Sequence, residues 1–165
     1  MRRLIAILVL AAVLCSCNAN VPDEAEGTRY RDFTVYDQNG EAVTLGSFIG
    51  TPIVLNFWAT WCPPCVTEMP YFSKLDKETD EVLFLMVNMT DGVAETQDSV
   101  EKYLEDTGLI FKNILLDLDG EAMMEYEVTG IPTTVFINVK GSILNTKIGM
   151  LTEDELRQGV AALLE

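Results

Sequence analysis

Two residues separate Cys62 from Cys65 in Trp61-Cys62-Pro63-Pro64-Cys65, between an apolar run and a segment with helical spacing. Few folds present a cysteine pair in that setting. Ile53 to Trp58, bounded by Gly50-Thr51-Pro52, reads as a short buried strand. A helix is predicted from near Cys62 to about Lys77. At a helix start the first sulfur lies at the positive end of the dipole, where a thiolate is stabilised. The second lies about one turn further in and can close a disulfide on the first. The first can then attack a partner's disulfide, and the second can resolve the mixed disulfide that forms. The plain alternative is half of a structural zinc site. It needs two further ligands, and the body of the chain has no other cysteine and no histidine, so only a metal bridged between two chains would serve.

The missing histidine excludes more than zinc. Ser-His and Cys-His catalysis and histidine ligation of haem are all closed to this chain. Charge excludes another class. Eleven Lys+Arg against 26 Asp+Glu give −15, which repels phosphate backbones, so no nucleic-acid partner is expected. With 165 residues, 48% of them apolar, the chain has room for one domain with a real core.

The other two cysteines, Cys15 and Cys17, belong to an address. Arg2 and Arg3 precede the uncharged run Leu4–Leu14. That run is shorter than the ~20 residues of a membrane span and fits a signal h-region of about 7–15. Leu14-Cys15-Ser16-Cys17 resembles the lipobox of bacterial lipoprotein signals, with Cys17 as the lipidated residue and Ser16 as the small residue before it. Ordinary secretion and an uncleaved anchor are the alternatives. Residues 1–16 are thus expected to be a signal peptide, and 17–31 a lipidated cysteine with a flexible polar tether. Residues 32–165 form the domain, held outside the cytoplasm at the bacterial cell membrane.

That domain alternates strands and helices, as in an α/β layer fold. Asp37-Gln38-Asn39-Gly40 between Phe33-Val35 and Val43 signals a hairpin. Val82–Asn88 reads as a strand covered on both faces. A helix is expected over Glu95–Thr107 with Gly108 as its stop, then a strand at Ile114–Leu116 and a short helix at Glu121–Tyr126. Strands at Thr133–Val139 and Ser142–Ile148 follow. Thr152 and Glu155 form a capping box for a last helix.

The run from Leu55 through Trp61-Cys62-Pro63-Pro64-Cys65, with Glu68-Met69-Pro70 and the later Gly130-Ile131-Pro132-Thr133, resembles the thioredoxin superfamily. Within it, the match is to the membrane-tethered TlpA/ResA-like thiol–disulfide oxidoreductases. The likeness covers nearly all of 32–165. It implies a thioredoxin fold: a central mixed sheet flanked by helices, with an N-terminal β-hairpin and a central helical insertion. It implies Cys62 and Cys65 as the redox pair, with no bound cofactor and no metal. Pro132 is the proline that in this superfamily is cis and lies beside the dithiol. That leaves the Ile131 backbone free to pair with an extended substrate. Trp61, Pro63, Pro64, Ile131 and Thr133 are the implied substrate surface. Taken alone, Pro132 reads as a strand-starting proline.

Asn56 stands where thioredoxin carries a buried aspartate. Glu68, three residues beyond Cys65, is the candidate proton carrier in its place, the plain alternative being a solvated mid-helix glutamate. Asp91 matches a further acidic position near the subfamily's site, or simply starts a turn. The acidic residues Glu95, Asp98, Glu101, Glu105 and Asp106 read as a solvated helix face, the alternative being a docking face for a basic partner. Pro63 and Pro64 lack N–H groups that could face Cys62, and no histidine lies between the cysteines. Both weaken the thiolate and favour a reducing pair, below about −200 mV. The expected activity is therefore reduction of disulfides in exported proteins, re-reduced by a CcdA- or DsbD-like membrane electron donor. The resemblance offers apocytochrome c, methionine sulfoxide reductase or a peroxidase as substrates. The rivals are a disulfide-forming oxidase of the same fold, a peroxiredoxin, which would want a lone peroxidatic cysteine in place of this pair, and a metallochaperone or binding lipoprotein.

Overall fold

The structure, a computed structural model, describes residues 28–165. The proposed signal peptide, Cys17 and most of the tether lie outside the described residues. Seven strands form one sheet in the order β2-β1-β5-β4-β3-β6-β7. They are β1 (Thr34–Asp37), β2 (Ala42–Thr44), β3 (Ile53–Trp58), β4 (Leu83–Asn88), β5 (Ile114–Leu116), β6 (Thr133–Ile137) and β7 (Ile143–Ile148). The helices are α1 (Pro63–Glu78), α2 (Gln97–Thr107), α3 (Glu121–Glu125) and α4 (Glu153–Leu163), and a 3-10 turn covers Leu45–Phe48. β3, β4 and β5 run parallel, and the β1–β2 hairpin and the β6–β7 pair close the two flanks antiparallel. This is the mixed sheet with an N-terminal hairpin that the resemblance implies, and α2 is its helical insertion.

The period-2 alternation of β3 divides the core. Val54 and Trp58 point to the face packed by α1, α2 and α4, with Met69, Phe72, Val100, Leu156 and Val160. Ile53, Leu55 and Phe57 point to the other face, with Phe33, Leu85, Leu115 and Ala122. Asn56 shares the α1 side with Val54 and Trp58, so a polar side chain from the central strand is aimed beneath the helix that carries the cysteines.

Several boundaries move for local reasons. α1 starts at Pro63 rather than Cys62, because Cys62 is the N-cap in extended backbone and the two prolines take the first helical positions, where no N–H is needed. β6 stops at Ile137. Asn138 turns the chain instead, its side-chain oxygen accepting from the N–H groups of Lys140 and Ser142. The end of the sequence-predicted tether is tied down. Arg29 bridges Ser142, the Tyr30 N–H donates to the Gly141 carbonyl at 2.8 Å, and Arg31 binds the Glu125 carbonyl and the Glu127 carboxylate. The folded body therefore includes Thr28–Arg31. Glu95 departs furthest from its sequence expectation. It precedes α2, whose N-cap is Thr96, and it is fully buried rather than part of a solvated acidic face.

Candidate active site

β3 ends at Trp58, and Ala59-Thr60-Trp61 carry the chain across the sheet's edge into α1. The Cys62 N–H closes that turn on the Ala59 carbonyl at 3.3 Å. Cys62 and Cys65 are joined as a disulfide with their Cα atoms 5.2 Å apart. The two sulfurs are unequal. Cys62 keeps a small exposed rim, 4% of its surface, whereas Cys65 is fully enclosed. An attack from outside therefore reaches Cys62 first.

The surroundings of Cys62 Sγ are sparse in donors. The Cys65 N–H points at it from 3.3 Å. Pro63 and Pro64, both exposed, supply none, and the first turn of α1 has no acidic residue. On the opposite side the Ile131 carbonyl oxygen lies 3.7 Å from the sulfur. In the disulfide this is a contact. In the reduced protein the thiol can donate to that oxygen, whereas a thiolate would face its lone pairs.

Ile131 and Pro132 sit on the loop entering β6, and the Ile131–Pro132 peptide bond is cis. The loop is fastened on both sides of that bond. Thr133 Oγ1 donates to the Gly130 carbonyl at 2.6 Å, and the Gly149 N–H donates to the Pro132 carbonyl at 2.8 Å. Trp61 stands at the mouth with 57% of its surface exposed, while Thr133 is buried. The structure thus gathers Trp61, Cys62, Pro63, Pro64, Cys65, Ile131 and Pro132 at one edge of the sheet, with Thr133 behind them.

Glu68 lies one turn beyond Cys65 and is fully buried. Its Oε1 accepts from Asn56 Nδ2 at 3.0 Å and its Oε2 from the Leu151 N–H at 2.7 Å. Asn56 Nδ2 also donates to Thr134 Oγ1 at 3.0 Å. Burial pushes the Glu68 pKa up to about 7, against the two hydrogen bonds that pull it down. Residues three apart on a helix are neighbours, so Glu68 follows Cys65 on the same side of α1. The solvated mid-helix alternative is excluded by its burial.

Asp91 starts a turn, and it also lines one pocket together with Trp61. It is exposed, and its Oδ1 accepts from the N–H groups of Val93, Ala94 and Glu95. Those bonds, that of Glu95 foremost, hold its pKa below the ordinary carboxylate value. The acidic group that reaches the cysteine turn is Glu95, which binds Thr60 and Asn88. Its neighbours in sequence gave no sign of this, because charge patterning sees the helix that follows and not a contact 35 residues away. Among the described residues no cluster of three His, Cys, Asp or Glu side chains is arranged for a metal ion.

An enclosed and a rim cysteine joined at the start of the helix after the central strand, facing a cis-proline loop, define a thioredoxin-fold protein of thiol–disulfide exchange. Comparison with known proteins narrows this. The chain belongs to the Redoxin family, whose model matches residues 25–163, and it is a thiol–disulfide oxidoreductase of the ResA/StoA type. It is 34% identical to thiol-disulfide oxidoreductase ResA of Geobacillus thermodenitrificans over 169 residues, 99% of this chain and 94% of that protein. The crystal structure of StoA from Bacillus subtilis superposes with a TM-score of 0.68 at 34% identity, covering 79% of this chain and 96% of that one. The exposed lipoprotein thioredoxin Etrx1 of Streptococcus pneumoniae gives 0.66 at 27% identity, covering 81% and 100%.

Proposed function

We propose that the protein is an extracytoplasmic reductase of disulfides in exported proteins. The observation that carries this direction is the environment of Cys62 Sγ: one backbone N–H on one side, a carbonyl oxygen on the other, and two prolines where further donors would stand. Such a site favours the thiol over the thiolate. A reduced form that is poorly stabilised gives up its electrons readily.

The cycle needs two thiols and no bound cofactor. Cys62, as thiolate, attacks one sulfur of the substrate disulfide and releases the other as a thiolate, which takes up a proton. Cys65 then attacks Cys62 of the mixed disulfide. Its thiol proton passes to the Glu68 carboxylate as the S–S bond forms, and the second substrate sulfur leaves. Substrate has lost a disulfide and gained two thiols, and the protein has gained the Cys62–Cys65 disulfide. Two electrons from a CcdA- or DsbD-like membrane donor, with two protons, convert that disulfide back to the dithiol. Trp61, Pro63, Pro64 and Ile131 frame the substrate segment beside Pro132, while Thr133, buried behind them, holds the loop through its bond to the Gly130 carbonyl. Apocytochrome c, an exported methionine sulfoxide reductase and a peroxidase are the substrates this reading offers.

Cys17 as a lipid anchor places the domain at the outer face of the cell membrane, and an exposed lipoprotein among its structural relatives supports that placement. The test of direction is a redox-buffer titration of the domain without its signal. A midpoint below about −200 mV supports a reductase. One near −120 mV would make the protein an oxidase.

A further inference from the structure

The geometry points to Glu95 as a positioning residue for the dithiol: through Thr60 it fixes the turn that presents Trp61 and Cys62 to a polypeptide disulfide. The observations are independent of those that define the redox pair. Glu95 is fully buried, and none of the ion pairs among the described residues includes it. A buried carboxylate without a cation costs several kcal/mol unless hydrogen bonds replace its water. Here they do. Oε1 accepts from the Thr60 N–H at 2.8 Å and from Asn88 Nδ2 at 2.7 Å, and Thr60 Oγ1 donates to Oε2 at 2.7 Å.

The main chain of Glu95 is equally committed. Its carbonyl accepts from the N–H groups of Asp91 and Gly92, at 3.1 and 3.0 Å, and its own N–H donates to Asp91 Oδ1 at 2.9 Å. The loop between β4 and α2 is thus closed on itself, and one side chain emerges from it to grip the residue before Trp61. Thr60 has its N–H and its hydroxyl both held by that carboxylate. The next two residues are the exposed indole and the attacking sulfur. A small disulfide needs only the sulfur, whereas a polypeptide disulfide must also dock on Trp61 and the Ile131 loop. Loosening the turn should therefore slow the second reaction far more than the first.

The inference rests on the exchange chemistry above and not on its direction. The test uses the reduced protein in single-turnover reactions with insulin and with oxidised glutathione, with thermal melts to confirm folding. Glu95→Ala is expected to lower the insulin rate by about tenfold or more and the glutathione rate by less than about threefold. Glu95→Gln can keep all three hydrogen bonds, its carbonyl accepting the two N–H groups and its amide donating to the Thr60 hydroxyl, so it should restore insulin selectivity. Thr60→Val, which removes one bond without cutting a hole, keeps the test open if the alanine variant does not fold. It should give a smaller loss with the same preference for insulin. Equal losses on both disulfides, wild-type selectivity in Glu95→Ala or Thr60→Val, or a Glu95→Gln as impaired as Glu95→Ala would each overturn the assignment. A wild-type protein that exchanges with neither disulfide would instead sink the exchange reading itself.

Discussion

Glu68 on α1 and the backbone N–H of Leu151, 83 residues later, meet at 2.7 Å inside the core, which ties the active-site helix to the entry of α4. The carboxyl in that bond has a pKa of about 7 in place of an ordinary 4.5. It binds its proton more tightly in the native than in the unfolded chain. Its stabilising contribution is complete below about pH 4.5 and is lost as the pH rises through 7. Each pH unit of that interval is worth about 1.4 kcal/mol, so the total is about 3 kcal/mol. Urea denaturation of the oxidised protein should show Glu68→Gln gaining on wild type by that order between pH 4 and pH 8. A gap that is flat with pH would mean the group does not titrate there.

The same group should mark the resolving step. With Glu68→Gln the attack of Cys62 on substrate should persist, while release of substrate from the mixed disulfide slows by about 10²-fold, at the low end of general-base effects. The wild-type release rate should rise through an inflection near pH 7 that the variant lacks. Stopped-flow measurement of the two steps separates them, and an unchanged release rate and pH profile would remove Glu68 from the chemistry.

How far this was readable from sequence differs between the parts of the site. β3 and β5 fall where the apolar runs place them, and the Thr152–Glu155 capping box is formed as its spacing requires. These are local features, decided by residues a few positions apart. Glu68 was readable as a candidate because it shares a helix with the cysteines. Its burial was not, since that depends on Asn56 and Leu151 from other elements. Glu95 is not legible from its surroundings in sequence. It stands beside an acidic helix and looks like the first of that helix's charges, and its partner Thr60 comes from the other end of a β-α-β crossover.

Exposure of Cys62 beside an enclosed Cys65 makes the order of attack a prediction. Cys65→Ser should accumulate mixed disulfides through Cys62, visible on non-reducing gels and cleared by reductant. Cys62→Ser should accumulate none, because the remaining sulfur is out of reach. Trapping through Cys65 would reverse the assignment of nucleophile.

The cap of α4 offers a check on stability away from the chemistry. Thr152 Oγ1 accepts from the Glu155 N–H at 3.2 Å, and Glu155 Oε2 accepts from the Thr152 N–H at 2.9 Å. Thr152→Ala should cost about 1 kcal/mol in denaturant melts with the redox midpoint unchanged. No loss would mean that water caps the helix equally well.

Gly159 lies in the middle of α4, where helix propensity alone favours alanine by about 1 kcal/mol. Packing opposes it. A Cβ at this position would run into the ring of Phe136, a buried side chain of β6. Phe136 and Gly159 share the wall of a cleft between β7 and α4, so either the helix lifts or Phe136 leaves its place. Overpacking of this kind costs about 1–3 kcal/mol, more than propensity returns at its upper end. Gly159→Ala should therefore lower the Tm by several degrees, at about 2–4 °C per kcal/mol for a chain of this size. Because Leu151 leads into α4, a lifted helix should also weaken the Leu151–Glu68 bond and carry the inflection near pH 7 upward. A higher Tm with the inflection unmoved would show that Phe136 yields freely and that α4 does not hold Glu68 in place.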